Sequence, residues 1–193
     1  MLNTFLSQIR DQVSRNIIKT VDQSNLIEEA MLYSANADSK MIRAALIFAS
    51  GKINRSISDK SLLTLATAIE LIHTYSLIHD DLPCMDDDDF RRGKDSNHIK
   101  YGEANAILAG DALQTLAYEI ICDDSDLKPN EKVEAIKLIS MACGKRGMVY
   151  GQYLDVSSES KNLDEKIIES IHKLKTGEPV SYTHLTLPTN REV

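Results

Sequence analysis

The segment Ile78–Gly93, which reads IHDDLPCMDDDDFRRG, constrains the fold more than any other part of the chain. Its six aspartates precede two arginines, and like charges this close repel one another unless the protein supplies a cation or leaves them in water. The apolar segment ATAIELIHTYSLIH leads directly into Asp80 and Asp81, which predicts that a packed helix presents this pair. Pro83 cannot continue that helix because its ring clashes with the carbonyl group of His79. Carboxylates on both sides of the resulting bend can therefore converge.

This arrangement is typical of a magnesium site that also binds phosphate. Magnesium is usually held by one or two carboxylates together with substrate phosphates. The adjacent Arg91 and Arg92 offer planar, permanently charged donors for phosphate oxygens. The alternative is a solvated acidic loop, which is what most charge runs are. The packed helix before the aspartates and the two guanidinium groups after them favour a site.

The same residues carry a family resemblance. DDLPCMD followed by DDDFRRG resembles the first aspartate-rich motif of the trans-prenyl diphosphate synthases, and its DDxxxxD spacing is most similar to bacterial farnesyl diphosphate synthases. The resemblance implies an all-α, isoprenoid synthase-type helical bundle that forms a homodimer. The implied reaction condenses dimethylallyl or geranyl diphosphate with isopentenyl diphosphate to give farnesyl diphosphate and pyrophosphate. The implied cofactor is Mg²⁺, held by Asp80 and Asp86 with Asp81 assisting.

The segment SKMIRAALIFASG aligns with the GKRLRP element of this family. The resemblance implies that Lys40 and Arg43 bind isopentenyl diphosphate. The chain departs from the element because Ser39 replaces the glycine, Met41 the middle arginine and Ala44 the proline. Without the resemblance, such a pair of cations is more often found on an ordinary surface.

His73 lies on the same helical stripe as Asp80, two turns before it. A lone histidine on an apolar stripe is more often a core residue than a ligand. The resemblance implies instead that His73 and Arg92 bind isopentenyl diphosphate and that Arg91 binds the allylic diphosphate. It also implies that Tyr75 forms the floor of the chain-elongation pocket, favouring a C15 over a C20 product; Tyr75 could equally be core packing.

Two later elements complete the resemblance. GQYLD is similar to the GQ-x-x-D element of the family, which implies that Gln152 binds substrate and places Asp155 near the site. KTG matches an element in which the lysine contacts diphosphate and the threonine faces the developing cation, so Lys175 and Thr176 are the implied catalytic residues. A lysine that ends a helix is otherwise ordinary helix-dipole chemistry.

Apolar residues recur at helical spacing through most of the chain. We expect the small residues of 104–121 to form a central core helix, in which Asp111 is structural. The helix that begins at Pro129 should turn four residues inward: Val133, Ile136, Ile139 and Ala142. Asn162 and Glu165 form a capping-box-like start for a further helix.

The composition of the chain limits the kind of partner and the cellular compartment that we expect. A net charge of −7 and a pI near 5.2 argue against nucleic acid as the main partner. Three cysteines without CxxC spacing favour reduced thiols in a cytoplasmic protein. We find no signal peptide and no apolar run that approaches the length of a membrane span.

The family pattern stops after Gly177. The remainder, EPVSYTHLTLPTNREV, holds two of the 4 prolines and no helical periodicity, and it resembles read-through of cloning DNA. We therefore expect a family region in residues 1–177 and a non-family tail in 178–193. The second aspartate-rich motif of the family does not occur before this point, so we expect this chain alone to be poorly stable and inactive.

Three alternatives remain. Within the family, the chain could belong to a geranylgeranyl or longer-chain diphosphate synthase. From another class, His73 and the His79–Asp80 pair could belong to an HD-type metal phosphohydrolase, but such a site needs several histidines and the chain has only 5. A non-catalytic helical scaffold with an acidic face would not need the paired arginines or the KTG element.

Overall fold

The protein is described by a computed structural model that covers residues 2–54, 57–158 and 164–177. Over these ranges the chain is almost entirely helical, so the prediction of an all-α fold is confirmed. The predicted tail at 178–193 and the predicted capping residue Asn162 lie outside the described residues. The helices are α1 (Leu2–Val21), α2 (Leu26–Ala35), α3 (Ile42–Asn54), α4 (Asp59–Asp80), α5 (Asn97–Tyr101), α6 (Glu103–Asp123), α7 (Pro129–Cys143), α8 (Met148–Ser158) and α9 (Glu165–His172). A short hairpin, β1 (Phe90–Arg91) and β2 (Lys94–Asp95), follows α4, and a π-helical turn (Lys173–Gly177) follows α9.

Helix α4 is the centre of the bundle. It packs most extensively against α6 and then against α3, and Leu62, Leu71 and Ile78 on it are almost fully buried. By length and composition alone α4 could cross a membrane, which corrects the expectation that no apolar run approaches such a length. Most of its apolar stretch is buried against neighbouring helices, as in the core helix of a globular protein.

Small residues let α6 approach α4 closely, as predicted. Ala106, Ala109 and Ala117 have no exposed surface. Gly110 faces the end of α4, and a Cβ atom there would lie only 2.2 Å from Nε2 of His79. That ring nitrogen is 3.1 Å from the carbonyl oxygen of Ile107. The carboxyl end of α4 is therefore held directly against the backbone of α6.

Helix α7 begins at Pro129 as predicted, but one of its residues faces outward. Ile139 and Ala142 are buried, whereas Val133 is 65% exposed, so the prediction was wrong for Val133. The buried stripe runs through Ala135, Ile139 and Ala142, at spacings of four and three residues. Val133 lies two residues before Ala135, which is about 200° around the helix.

The loop between α6 and α7 is fixed to α4 by the buried carboxylate of Asp124, which is 4% exposed. Asp124 accepts hydrogen bonds from the Ser61 hydroxyl at 2.9 Å and the Thr64 hydroxyl at 2.6 Å. It also accepts from the backbone N–H groups of Asp126 and Leu127 at 2.9 and 3.0 Å. Burial alone would raise the pKa of Asp124, but the four hydrogen bonds outweigh it and lower that pKa.

Replacing Asp124 by Ala should lower the free energy of unfolding by about 2 to 4 kcal/mol, because buried donors lose their acceptor. Since the pKa is lowered by folding, the carboxylate's contribution is complete above its unfolded pKa of about 3.9 and is lost as pH falls through the folded value. Urea denaturation of the wild type and D124A, repeated from pH 7 downward, should show the difference shrink in acid. A difference that stays constant with pH would contradict this role of the charge.

Candidate active site

The turn after α4 brings separated carboxylates together. Helix α4 ends at Asp80, in agreement with the block that Pro83 imposes. The backbone then folds back: the N–H of Asp86 donates to the carbonyl oxygen of Asp80 at 2.9 Å, and that of Asp88 to Asp81 at 3.2 Å. The side chains of Asp80 and Asp86 are consequently neighbours, as expected from the bend.

A lysine from the far end of the described chain balances these carboxylates. Lys175 Nζ lies 2.7 Å from Oδ2 of Asp155 and 3.5 Å from the carboxylate of Asp80, which also accepts a hydrogen bond from Gln152 Nε2. Burial and the charge of Asp80 raise the pKa of Asp86, and Lys175 opposes that rise. Burial alone would lower the pKa of Lys175, but the carboxylates around it raise it. We call these five residues the carboxylate–lysine cluster.

The donor set of this cluster fits magnesium. Asp80 and Asp86 offer hard oxygen ligands, and a divalent cation would relieve their mutual repulsion. Within the described residues no group of three or more His, Cys, Asp or Glu side chains is arranged to hold a metal ion. The two carboxylates therefore fit an ion that is shared with the phosphates of a substrate, which is the usual situation of protein-bound magnesium.

Gly151 sets the position of Lys175. A Cβ atom at residue 151 would lie 2.4 Å from the backbone nitrogen of Lys175. Only glycine lets α8 contact the π-helical turn at this distance. Gln152, the next residue of α8, is thereby held beside Lys175. The side chain of Thr176 lies outside the described residues, and its role stays a prediction.

A second group of predicted residues gathers around the middle of α4. We call Arg43, His73 and Arg92 the arginine cluster, because these two arginines affect the pKa of the histidine more than any other charged residue does. Burial, and then these positive charges, lower the pKa of His73 to about 3. His73 is therefore a neutral imidazole near pH 7, which can donate one hydrogen bond but adds no charge. Lys40 is exposed and lies three residues before Arg43.

The two clusters lie along one helix. His73 precedes Asp80 by seven residues, which corresponds to about 10 Å along the axis of α4. Arg92 follows the aspartate-rich turn and returns to the arginine cluster through the β1–β2 hairpin. The structure thus brings together Asp80, Asp86, Gln152 and Lys175 in one place, and Arg43, His73 and Arg92 in another.

Asp81 does not share the role expected of it. Its side chain is buried, and it accepts hydrogen bonds from Nε of Arg91 at 2.9 Å and from Nη2 of the same residue. Asp88 lies 3.4 Å from that guanidinium group. Asp81 is therefore the partner of Arg91 and holds it beside the hairpin, whereas the expectation was that it assists Asp80 at the metal. Sequence reasoning missed this pair, which joins residues ten positions apart across the turn.

The hairpin also was not predicted. Residues Arg92 and Gly93 form its two-residue loop, with φ angles of 55° and 76°, and Arg91 pairs with Lys94. Two successive positive φ angles are characteristic of a type I′ turn, for which Asn-Gly is the favoured pair. An arginine in this conformation costs on the order of 1 kcal/mol. Strain of this kind is characteristic of functional sites.

A cavity of about 450 Å³ opens between the end of α4 and α8. Its lining is mainly apolar, with Asp80, Gln152 and Lys175 grouped among the lining residues. Tyr75 is also in the wall; burial raises the pKa of its phenol to about 12, so it is uncharged. The remaining lining residues are Ser76, Leu77, His79, Met85, Met148, Val149, Tyr153, Val156 and Ser157. An apolar space with a few polar groups suits a hydrocarbon chain that ends in a charged group.

Comparisons with known proteins agree with this geometry. The sequence model of the family described as "Polyprenyl synthetase" matches residues 24–187. The chain is 43% identical over 178 residues to the farnesyl diphosphate synthase of Escherichia coli, covering 91% of this chain and 59% of that protein. It is 41% identical over 180 residues to the geranylgeranyl diphosphate synthase of Cyanophora paradoxa, covering 91% and 60% respectively. The crystal structure of an FPP/GFPP synthase from Zymomonas mobilis superposes with a TM-score of 0.90 at 36% identity, covering 95% of this chain and 68% of that one. The chain thus spans about three fifths of the length of the curated relatives it matches.

Replacing Arg92 by Asn tests whether the strained turn is kept for the arginine side chain. Asparagine is favoured at this turn position, so the free energy of unfolding should stay equal or rise by up to about 1 kcal/mol. Affinity for an alkyl diphosphate, measured without a divalent cation so that the carboxylates do not bind it, should fall at least about tenfold, the value of one charge-assisted hydrogen bond. Urea denaturation and isothermal titration calorimetry measure the two effects. A variant that loses stability while keeping its affinity would contradict this assignment.

Proposed function

This chain belongs to the polyprenyl synthetase family, and on that premise we propose that the full-length protein is a short-chain trans-prenyltransferase. Its substrates are isopentenyl diphosphate and an allylic diphosphate, either dimethylallyl or geranyl. Its products are farnesyl diphosphate and pyrophosphate. The observation that carries this proposal is that α4 places His73 and Asp80, one residue from each cluster, about 10 Å apart along its axis. Such a spacing suits two diphosphate groups bound side by side, one at each cluster.

The first diphosphate group binds at the carboxylate–lysine cluster. Asp80 and Asp86 would hold Mg²⁺, which when bound supplies positive charge to the diphosphate oxygens. Lys175 lies between Asp80 and Asp155 and can turn its ammonium group to a diphosphate oxygen beside them. As the allylic carbon–oxygen bond breaks, negative charge grows on the departing pyrophosphate, and a fixed cation at that place lowers the barrier.

The second diphosphate group binds at the arginine cluster. Arg43 and Arg92 provide charged donors, and neutral His73 provides a further N–H group without repelling them. Lys40 adds a charge at the exposed side. Held there, isopentenyl diphosphate directs its double bond to the allylic carbon and a new carbon–carbon bond forms. One proton then passes to the released pyrophosphate, which gives the trans product. Arg91, fixed by Asp81, borders the first diphosphate, and Thr176 keeps the role that the family resemblance implies.

Three further features belong to this proposal. Magnesium is the metal, as the two oxygen ligands favour. The protein works in the cytoplasm, where Cys84, Cys122 and Cys143, which are free in the structure, stay reduced. It forms a homodimer, as the family resemblance implies.

A C20 product is the second candidate, favoured by the similarity to a geranylgeranyl diphosphate synthase. Tyr75 favours the C15 product. Its ring is 6% exposed, lies in the cavity wall and packs edge-on against His79. A bulky, rigid residue at this position limits the length of hydrocarbon that the cavity accepts.

The direct test is the product formed by the full-length protein. Incubated with dimethylallyl diphosphate, isopentenyl diphosphate and Mg²⁺, it should release pyrophosphate and accumulate farnesyl diphosphate, identified by chromatography after dephosphorylation. Accumulation of geranylgeranyl diphosphate would favour the second candidate. Absence of any condensation product would overturn the proposal.

The role of the carboxylates is tested by two matched variants in the same turn. Asp86→Asn removes a proposed ligand and should lower kcat/KM at least about a hundredfold, as the loss of one preorganised electrostatic group does. Asp87→Asn is the control, because Asp87 has a φ angle of 52°, which asparagine adopts readily. It removes the same charge one residue away and should stay within about threefold of the wild type, less than 1 kcal/mol. Equal losses in both variants would mean that only the overall negative charge of the turn matters.

A further inference from the structure

Glu70 is a buried carboxylate that the proposed reaction leaves without a role. It lies on α4, three residues before His73, and is only 5% exposed. A buried carboxylate costs several kcal/mol unless charges and hydrogen bonds compensate for it. We therefore expect Glu70, on the central helix of the bundle, to have a function.

Its hydrogen bond joins α4 to α3. Oε1 of Glu70 accepts from the backbone N–H of Ala44 at 3.0 Å. Ala44 is the third residue of α3, and the first N–H groups of a helix have no partner within it. Met41, which precedes α3, has no oxygen in its side chain. Glu70 thus caps the start of α3 from another helix, where a negative charge also interacts favourably with the helix dipole.

The capped turn carries Arg43, directly before Ala44. Burial raises the pKa of Glu70, while the Ala44 hydrogen bond and the charges of Arg43 and Arg92 oppose that rise. Glu70 in turn favours the charged form of Arg43 against the effect of burial. The charge of Glu70 therefore acts on both arginines of the arginine cluster, although Glu70 is not one of the donors of that cluster.

We propose that Glu70 is a positioning residue for the second diphosphate group: by accepting from Ala44 it fixes the first turn of α3 and thereby directs Arg43. This inference rests on the proposed function, which assigns isopentenyl diphosphate to the arginine cluster. The position is set by the hydrogen bond, so glutamine, whose Oε1 can accept from the same N–H group, retains it. Alanine has no acceptor, and the carboxylate of aspartate is one methylene group short.

The test compares Glu70→Ala, Glu70→Asp and Glu70→Gln in the full-length protein. E70A and E70D should raise the KM for isopentenyl diphosphate about tenfold, the effect of one misplaced hydrogen-bond donor, and leave the KM for the allylic substrate within about twofold. E70Q should restore the KM for isopentenyl diphosphate to within about threefold of the wild type. Thermal unfolding of each variant identifies any that does not fold, and should E70A be one, E70D against E70Q gives the same comparison.

Several outcomes would overturn the inference while leaving the proposed function intact. These are an unchanged KM for isopentenyl diphosphate in E70D, an equal rise of both KM values, or an effect in E70Q as large as in E70D. The last would mean that the charge of Glu70 acts and the hydrogen bond does not. Failure of the proposed function is recognised separately, because the wild-type protein would then form no condensation product.

Discussion

The repulsion between Asp80 and Asp86 is the constraint on which the site depends. The turn after α4 holds these carboxylates together through a backbone hydrogen bond. Their negative charge is partly balanced by Lys175, which lies almost a hundred residues further along the chain. That lysine is itself shared with Asp155. The negatively charged turn, Lys175 and the apolar cavity beside them form one binding site. A bound metal ion and a phosphate group would balance the charges in it.

Helix α4 sets the distance between the two clusters of the site. Because one rigid element carries both His73 and Asp80, the separation of the two clusters is fixed by helix geometry and not by the mobility of loops. Packing against α3 and α6 holds the helix in place, and Gly110 lacks the side chain that would push His79 away. The helix at the core of the fold is therefore also the element that sets the distance between the two clusters.

Local pattern was enough to predict the helices, the break at Pro83 and the grouping of the aspartates, since each follows from periodicity or from one steric clash. It was not enough for contacts made between distant segments. The family resemblance implied that Asp81 assists at the metal, yet successive residues at a helix end point about 100° apart, and Asp81 contacts Arg91 instead. Glu70 was missed because a single glutamate in an apolar stripe reveals its importance only when Ala44 is found beside it. Val133 was misplaced because the stripe of α7 passes through Ala135.

The π-helical turn at Lys173–Gly177 has a consequence for how this site tolerates change in length. Such a turn contains one residue more than an α-helical turn of the same rise. Deleting a single residue there would restore regular winding, but it would also rotate the lysine by about 100° away from the aspartates. Most surface segments accept a change in length. In the π-helical turn, however, we expect such a change to be selected against, even where a deletion would make the backbone more regular.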